Sequence, residues 1–418
     1  MVHPPNRHRQ PLARTPPRVV NDRIAGPVAP RIRAALEEHW HDVVAVSEFI
    51  HAHVEESSNE FACHAHLTTA LKQHGFDVDC EIAGLDTAFR ATTGPDNATT
   101  TVALVCEYDG LPPYGQSCGH NVVAAASYGA ALALEPVADE LGLRVLVVGT
   151  PAEEGIGGKY ILGDAGVFDE VDFAASIYPG MDDIAASRTL AAHRLTIEAF
   201  GEPAHGAAHP ELGVNALDGI ALGFAAMAML RPNLPPTARV HGIVDQGGIH
   251  PQVVPDYARA TVVVRAADPT ELADVRIRVT RAFELAVESV GARCLVTPAE
   301  RCAEALLNVD ALTSLFEQEL RTVGRSPRPT DEIAGAWSTD AGALSRRVPY
   351  LQPQIKMTPR SISPHSHRFH DASIGPDAES CIFDAALALA STAAEVARNP
   401  QVRAEIQRQF RSATTGTS

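Results

Sequence analysis

Three short clusters in this 418-residue chain carry side chains able to hold a metal ion or move a proton. Cys118-Gly119-His120 sets a thiol and an imidazole two residues apart at the start of a predicted helix, just after a strand ending in Glu107-Tyr108-Asp109. A cysteine at a helix N-terminus has a lowered pKa and can offer thiolate to an ion that the histidine also reaches. Glu153-Glu154, in TPAEEG, ends an apolar strand, the edge at which open α/β sheets bind ligands. One carboxylate there can coordinate a cation while the other holds a proton for general acid/base work. His365, His367 and His370 fall in PHSHRFH, after the loop GAWSTDAG. Each cluster alone has a plain structural alternative: a buried cysteine beside a satisfied histidine, a solvated carboxylate pair, a surface histidine cluster. All three lying on loops of one α/β domain make a shared metal site the better reading.

The elements that must position them are legible in outline. From Arg31, apolar residues Ile32, Leu36, Trp40, Val43, Val44, Phe49 and Ile50 keep helical spacing, and a second helix runs to His74, closed by Gly75. TVALVCEYDG and LRVLVVGTPAEEG are apolar without alternation, as central strands covered on both faces are. Asn121–Leu134 is alanine-rich and helical. Together these predict an α/β fold with a mostly parallel sheet. After Ala191 the texture changes: HRLTIEAFG alternates, a helix follows over Val214–Leu230, then RVHGIVDQGG, YARATVVVRA and a helix over Pro269–Val290. That order predicts a smaller α+β domain, ferredoxin-like, inserted at 191–300 between catalytic segments 31–190 and 301–400, with Leu306–Val323 helical. Residues 1–30, with seven prolines and five arginines and no apolar signal core, are expected to be a disordered extension. The polar segment 401–418 is expected to be a flexible tail.

Composition narrows the partners. Against 34 basic residues stand 51 acidic ones, a formal net charge of −17 that repels a nucleic-acid backbone or an anionic membrane. No apolar run approaches the ~18 residues of a membrane span. Seven scattered cysteines do not make a disulfide scaffold, so a reducing compartment, the cytoplasm, is expected.

TPAEEG, SCGHN after EYDGLP, GEPAHGAAHPELGVNAL in the inserted segment and the late STDAG…PHSHRF together resemble the M20 metallopeptidase and amidohydrolase family, over roughly residues 31–400. The nearest branch holds aminobenzoyl-glutamate hydrolases, aminoacylase-like dipeptidases and auxin-conjugate hydrolases. The resemblance implies a metal-bridging ligand at Cys118, ligands at His120 and Glu154, a general base at Glu153, and His365 closing the coordination sphere. It implies that Asp109 orients a ligand from beneath, and that a divalent transition metal, zinc or manganese, one or two per subunit, is bound. In the inserted lid or dimerisation domain, it implies that His205 reaches across a homodimer or higher oligomer to an oxyanion. Arg265, at the end of TVVVR, matches a position able to clamp a substrate carboxylate. His367 and His370 read as supporting or solvent residues.

Two departures stand out. Where the branch carries a histidine before proline, this chain has Tyr178 in Ile177-Tyr178-Pro179-Gly180. A neutral phenol, with a reference pKa of about 10, is a poor ligand for such an ion. A second metal then keeps only Cys118 and His120, which points to a single or weakly loaded second site. Gln252 stands where the family often shows asparagine, altering a lid hydrogen bond to substrate. The expectation is a metal-dependent hydrolase of an amide bond in a small carboxylate-bearing substrate: an N-acyl or aminobenzoyl amino acid, or a dipeptide. Two others stay open. One is hydrolytic deamination of an aromatic amine, as nitroanthranilate aminohydrolases of this family perform; the other is a catalytically idle ligand-binding homologue.

Overall fold

Residues 28–329 and 337–415 are described by the computed structural model of the protein. In chain order they open with α1 (Ala29–Glu38), α2 (Trp40–Ala52), α3 (Phe61–Gln73), β1 (Asp77–Cys80), β2 (Phe89–Thr93), β3 (Thr100–Cys106), α4 (His120–Leu141), β4 (Leu143–Gly149), α5 (Gly158–Asp164), β5 (Phe173–Ala175) and β6 (Tyr178–Gly180). Next come β7 (Ala191–Phe200), α6 (Ala216–Leu230), β8 (Arg239–Gln246), β9 (Tyr257–Ala266), α7 (Pro269–Ser289) and β10 (Arg293–Pro298). The chain closes with α8 (Asp310–Thr322), α9 (Ala341–Leu344), β11 (Tyr350–Leu351), β12 (Gln354–Lys356), α10 (His367–Ala372), α11 (Pro376–Arg398) and α12 (Pro400–Thr415). Two compact units result: one from residues 28–187, 308–329 and 344–415, the other from 188–307 with 337–343.

The first unit is built on a sheet ordered β1-β2-β4-β3-β5-β11. β4, β3, β5 and β11 run parallel, and β2 and β1 continue the edge antiparallel. β3 and β4 are buried at almost every position, which is why their sequences do not alternate. α4 and α11, both alanine-rich and largely buried, pack on each other, with Gly129 facing Ala386. By length and composition these two helices could cross a bilayer, contrary to the expectation that nothing here could; both are 89% buried in the core.

Three expectations need correction. The helical run from Arg31 is two helices, broken at His39, which caps the end of α1 and the start of α2. The disordered extension cannot reach residue 30: residues 1–27 lie outside the described ones, but Val28 and Ala29 are buried and Pro30 sits in the first turn of α1. Proline's preset φ and missing N–H suit that position. The flexible tail is instead helix α12 over 400–415. Ile406 is buried, with Val402 and Phe410 packed beside it four residues either way, a narrow apolar stripe hidden in a polar sequence.

The second unit runs strand, helix, strand, strand, helix, strand, with an antiparallel sheet ordered β10-β7-β9-β8. This is the split βαβ topology of ferredoxin-like domains. Its fourth strand, β10, escaped the sequence reading because RCLVTP is short and mostly solvent-facing. α6 and α7 start where Asn215 and Asp268 side chains accept backbone N–H groups of the first turn. The two helices meet at Gly223, where a Cβ would come within 2.2 Å of the buried Phe283 ring. Gly223→Ala is therefore expected to destabilise the fold by about 1–3 kcal/mol, seen as a lower urea midpoint at unchanged slope.

Candidate functional site

The loops that follow β3 and β4 bring the sequence clusters of the first unit together, at the carboxyl ends of parallel strands. Gly119 has a φ of 74° and no room for a Cβ, since Pro179 would stand 2.6 Å away. Only glycine lets the chain turn there and deliver Cys118 and His120 to the same point. Cys118 Sγ lies 2.5 Å from Glu154 Oε1. The ligand atoms of Cys118, His120 and Glu154 all fall within 4.8 Å of one another. Glu153 Oε2 is 3.8 Å from His120 Nε2.

Asp109, wholly buried, organises this cluster. Its backbone carbonyl accepts from His120 Nδ1 at 2.9 Å, and its Oδ1 is equally close. With the proton on Nδ1, the Nε2 lone pair faces the other acids. Asp109 Oδ2 accepts from Ser57 Oγ (2.7 Å) and from the backbone N–H of Glu154 (3.0 Å). One carboxylate thus fixes both the imidazole and the TPAEEG loop. Burial pushes Asp109 up, but His120 and these donors outweigh it and hold the carboxyl below its ordinary range.

The residues present suit a cation. Burial pushes His120 down, yet the carboxylates of Asp109, Glu107 and Glu153 overcome it and draw the ring well above its usual pKa. Burial first and Glu154 second push the Cys118 thiol far up, which reverses the expectation of a helix-activated thiolate. A thiol beside a carboxylate, ringed by further acids, sheds its proton in exchange for a divalent ion. A sulfur, a nitrogen and a carboxylate oxygen form a donor set matched to borderline ions of the zinc type.

Two members of the site had escaped the sequence reading. Glu107 Oε2 stands 3.5 Å from His120 Nε2, and its Oε1 is 2.9 Å from Lys159 Nζ, with both side chains buried. The other is Glu60, fully buried, which accepts from Thr87 Oγ1 and from the backbone N–H groups of Ser58 and Ala152, so it anchors the loop just before Glu153. The period-2 spacing of Glu107 and Asp109 was the available signal.

His365 stands one step out from the tight trio, its Nε2 3.8 Å from Glu154 Oε1. Its φ of 59° is left-handed, a costly backbone for a residue with a Cβ, and its N–H donates to Ser117 O at 3.0 Å. Tyr178 lies among the same groups: burial, then Cys118 and the two loop carboxylates, push its phenol up. His370 Nδ1 accepts from the backbone N–H of Gln116 and its ring stacks on His51, while His367 packs near Tyr114; both support loops.

In the second unit, His205 Nδ1 accepts from the N–H groups of Ala207 and Ala208, leaving Nε2 to carry the proton. Its loop is tied to that of Gln252, whose carbonyl accepts from Gly206 N–H. Arg265 is elsewhere. It pairs in register with Ala192, whereas the His205 loop leaves β7 from Phe200, paired with Tyr257. Those eight positions span about 27 Å along the strand. Arg239 lies opposite Arg265 in β8, and nearby His241 is pushed down by burial and then by the Arg265 charge.

Residues 107–395 match the peptidase family M20/M25/M40. The chain is 33% identical over 342 residues to Xaa-Arg dipeptidase from Mus musculus, covering 78% of each chain. It is 31% identical over 271 residues to one of the subunits of p-aminobenzoyl-glutamate hydrolase from Escherichia coli (strain K12), 60% of this chain and 56% of that one. Among solved structures, a dinuclear metal binding peptidase of the M20 family from Bacillus subtilis shares the fold, with a TM-score of 0.61 at 17% identity over 88% of this chain and 98% of that one.

Proposed function

The chain belongs to peptidase family M20/M25/M40 and is a hydrolase of amide or peptide bonds; on that premise we propose that its substrate is a dipeptide or N-acyl amino acid with a free carboxylate. The observation that carries this reading is the convergence of Cys118, His120 and Glu154 with the Glu153 carboxylate beside them. When bound, a divalent ion held by those three, with His365 next to Glu154, supplies the Lewis acidity that activates water and carbonyl. Glu153 accepts the proton of the attacking water and delivers it to the leaving nitrogen. Asp109 keeps His120 in the one tautomer that can serve as a ligand. Arg265, in its cationic stretch of sheet, takes the substrate carboxylate, and Gln252 hydrogen-bonds the substrate.

His205 donates its Nε2–H to the oxyanion from a neighbouring subunit. The separation of His205 from Arg265 supports this, since one copy of the second unit offers them at opposite ends of its sheet. The solvent-facing edge strand β8, with Ile243 exposed, suits pairing between copies. In that arrangement the second unit is both lid and dimer contact. The seven free cysteines suit the cytoplasm.

Purified protein is expected to release free amino acid from dipeptides, N-acyl amino acids or aminobenzoyl-glutamate. Chelation should abolish the activity, and zinc or manganese should restore it. Ammonia released from aminobenzoates with no amino-acid release would transfer the assignment to deamination; inactivity on both panels, to ligand binding. With a phenol where a nitrogen ligand is expected, the wild type should carry one tightly held ion in this site. Tyr178→His should raise the metal content by up to one further equivalent, measured by elemental analysis.

A further inference from the structure

Away from the catalytic loops, three helix ends of the first unit meet around a second set of donors. His39 breaks α1 from α2, Asp42 lies three residues on in the first turn of α2, and His74 caps the end of α3. One ligand atom from each falls within 4.8 Å of the others. His74 Nε2 is 3.3 Å from Asp42 Oδ2, and His41 Nδ1 is 3.6 Å from Asp42 Oδ1. The rings of His39 and His74 stand edge to face, centroids 4.7 Å apart.

These spacings are long for a charge-assisted hydrogen bond, which closes to about 2.7–2.9 Å. The 3.3 Å between His74 and Asp42 suits a shared ion: bonds of about 2.0–2.1 Å arranged tetrahedrally put ligand atoms about 3.3–3.4 Å apart. Among the described residues, no other hydrogen bond engages these four side chains. A further polar group near the cluster is unsatisfied. Tyr128 is fully buried, its ring 6.1 Å from that of His74, and its hydroxyl has no hydrogen-bond partner among the described residues.

We infer that His39, Asp42 and His74, beside the exposed His41, form a second, peripheral site for a zinc-class divalent cation that clips α3 to the α1–α2 junction. Imidazole-rich sets with one carboxylate select borderline first-row ions over magnesium or calcium. All four residues lie outside the catalytic cluster, so the two sites can be emptied separately.

The test uses the full chain, loaded with zinc, freed of excess ion and analysed for metal. In a Cys118→Ser/Glu154→Gln background, which strips the catalytic ion, one equivalent of zinc is expected to remain, and adding His39→Gln/His74→Gln removes it. His39→Gln/His74→Gln alone should lose one equivalent relative to wild type and keep amide hydrolysis within about twofold. Equal zinc content in the stripped background with and without His39 and His74, at micromolar free zinc, overturns the inference. Cobalt gives a check that does not depend on how the histidine variants fold. In the stripped background it should give the visible absorption of a tetrahedral ion with nitrogen and oxygen ligands, and an octahedral aqua spectrum overturns the site.

Discussion

Glu153→Gln is expected to lower kcat/KM for the amide substrate by about 10²–10⁴-fold while the metal content of the purified protein stays unchanged. Glutamine keeps the size and most of the hydrogen bonding of the side chain but cannot accept a proton from water. Glu153 stands 3.8 Å from His120 Nε2, and the tight donor trio forms without it, so its loss leaves that trio complete. Steady-state rates paired with elemental analysis separate the two effects. A variant as active as the parent would move the base to another residue; a variant depleted in metal would make Glu153 a ligand.

Lys159→Met should cost about 3–5 kcal/mol of folding stability, the scale for removing one partner of a buried ion pair. Lys159 is fully buried, and its ammonium lies 2.9 Å from Glu107, itself buried and beside His120. Without the lysine, Glu107 loses its buried partner in a pocket already crowded with Asp109, Glu153 and Glu154. Adding Glu107→Gln to Lys159→Met should restore much of the loss, because a neutral pair has no uncompensated charge to bury. Urea unfolding of the single and double variants closes the cycle. A single-variant cost under about 1 kcal/mol would show that Lys159 does not balance the acidic pocket.

The donors that sit on short, punctuated motifs were readable in advance. Cys118-Gly119-His120 and Glu153-Glu154 each lie within three residues of one another, and glycine or proline beside them marks a turn. Lys159 was not, for two reasons. A lysine is read as surface by default, and its partner is far away in sequence at the end of another strand. The state of Cys118 was misread because a helix N-terminus is visible in a sequence, whereas the facing Glu154 carboxylate is not. In the fold, apolar central strands announced themselves, while β10 and α12 hid behind polar residues on edges and stripes. His39 breaks an otherwise continuous helical pattern without the glycine or proline that would have signalled it.

The first unit is written in pieces on either side of the second. β11 must return to lie beside β5, α11 must seat against α4, and His365 must meet Ser117 through its backbone. All three late pieces leave the ribosome after the second unit has been made. During synthesis the early strands and α4 must therefore wait, with one face of a long alanine-rich helix uncovered, while roughly a hundred intervening residues can already collapse on their own core. The arrival of His365 beside Glu154 is thus a late event in the life of the nascent chain, and the waiting helix is the surface a chaperone would be called on to shield.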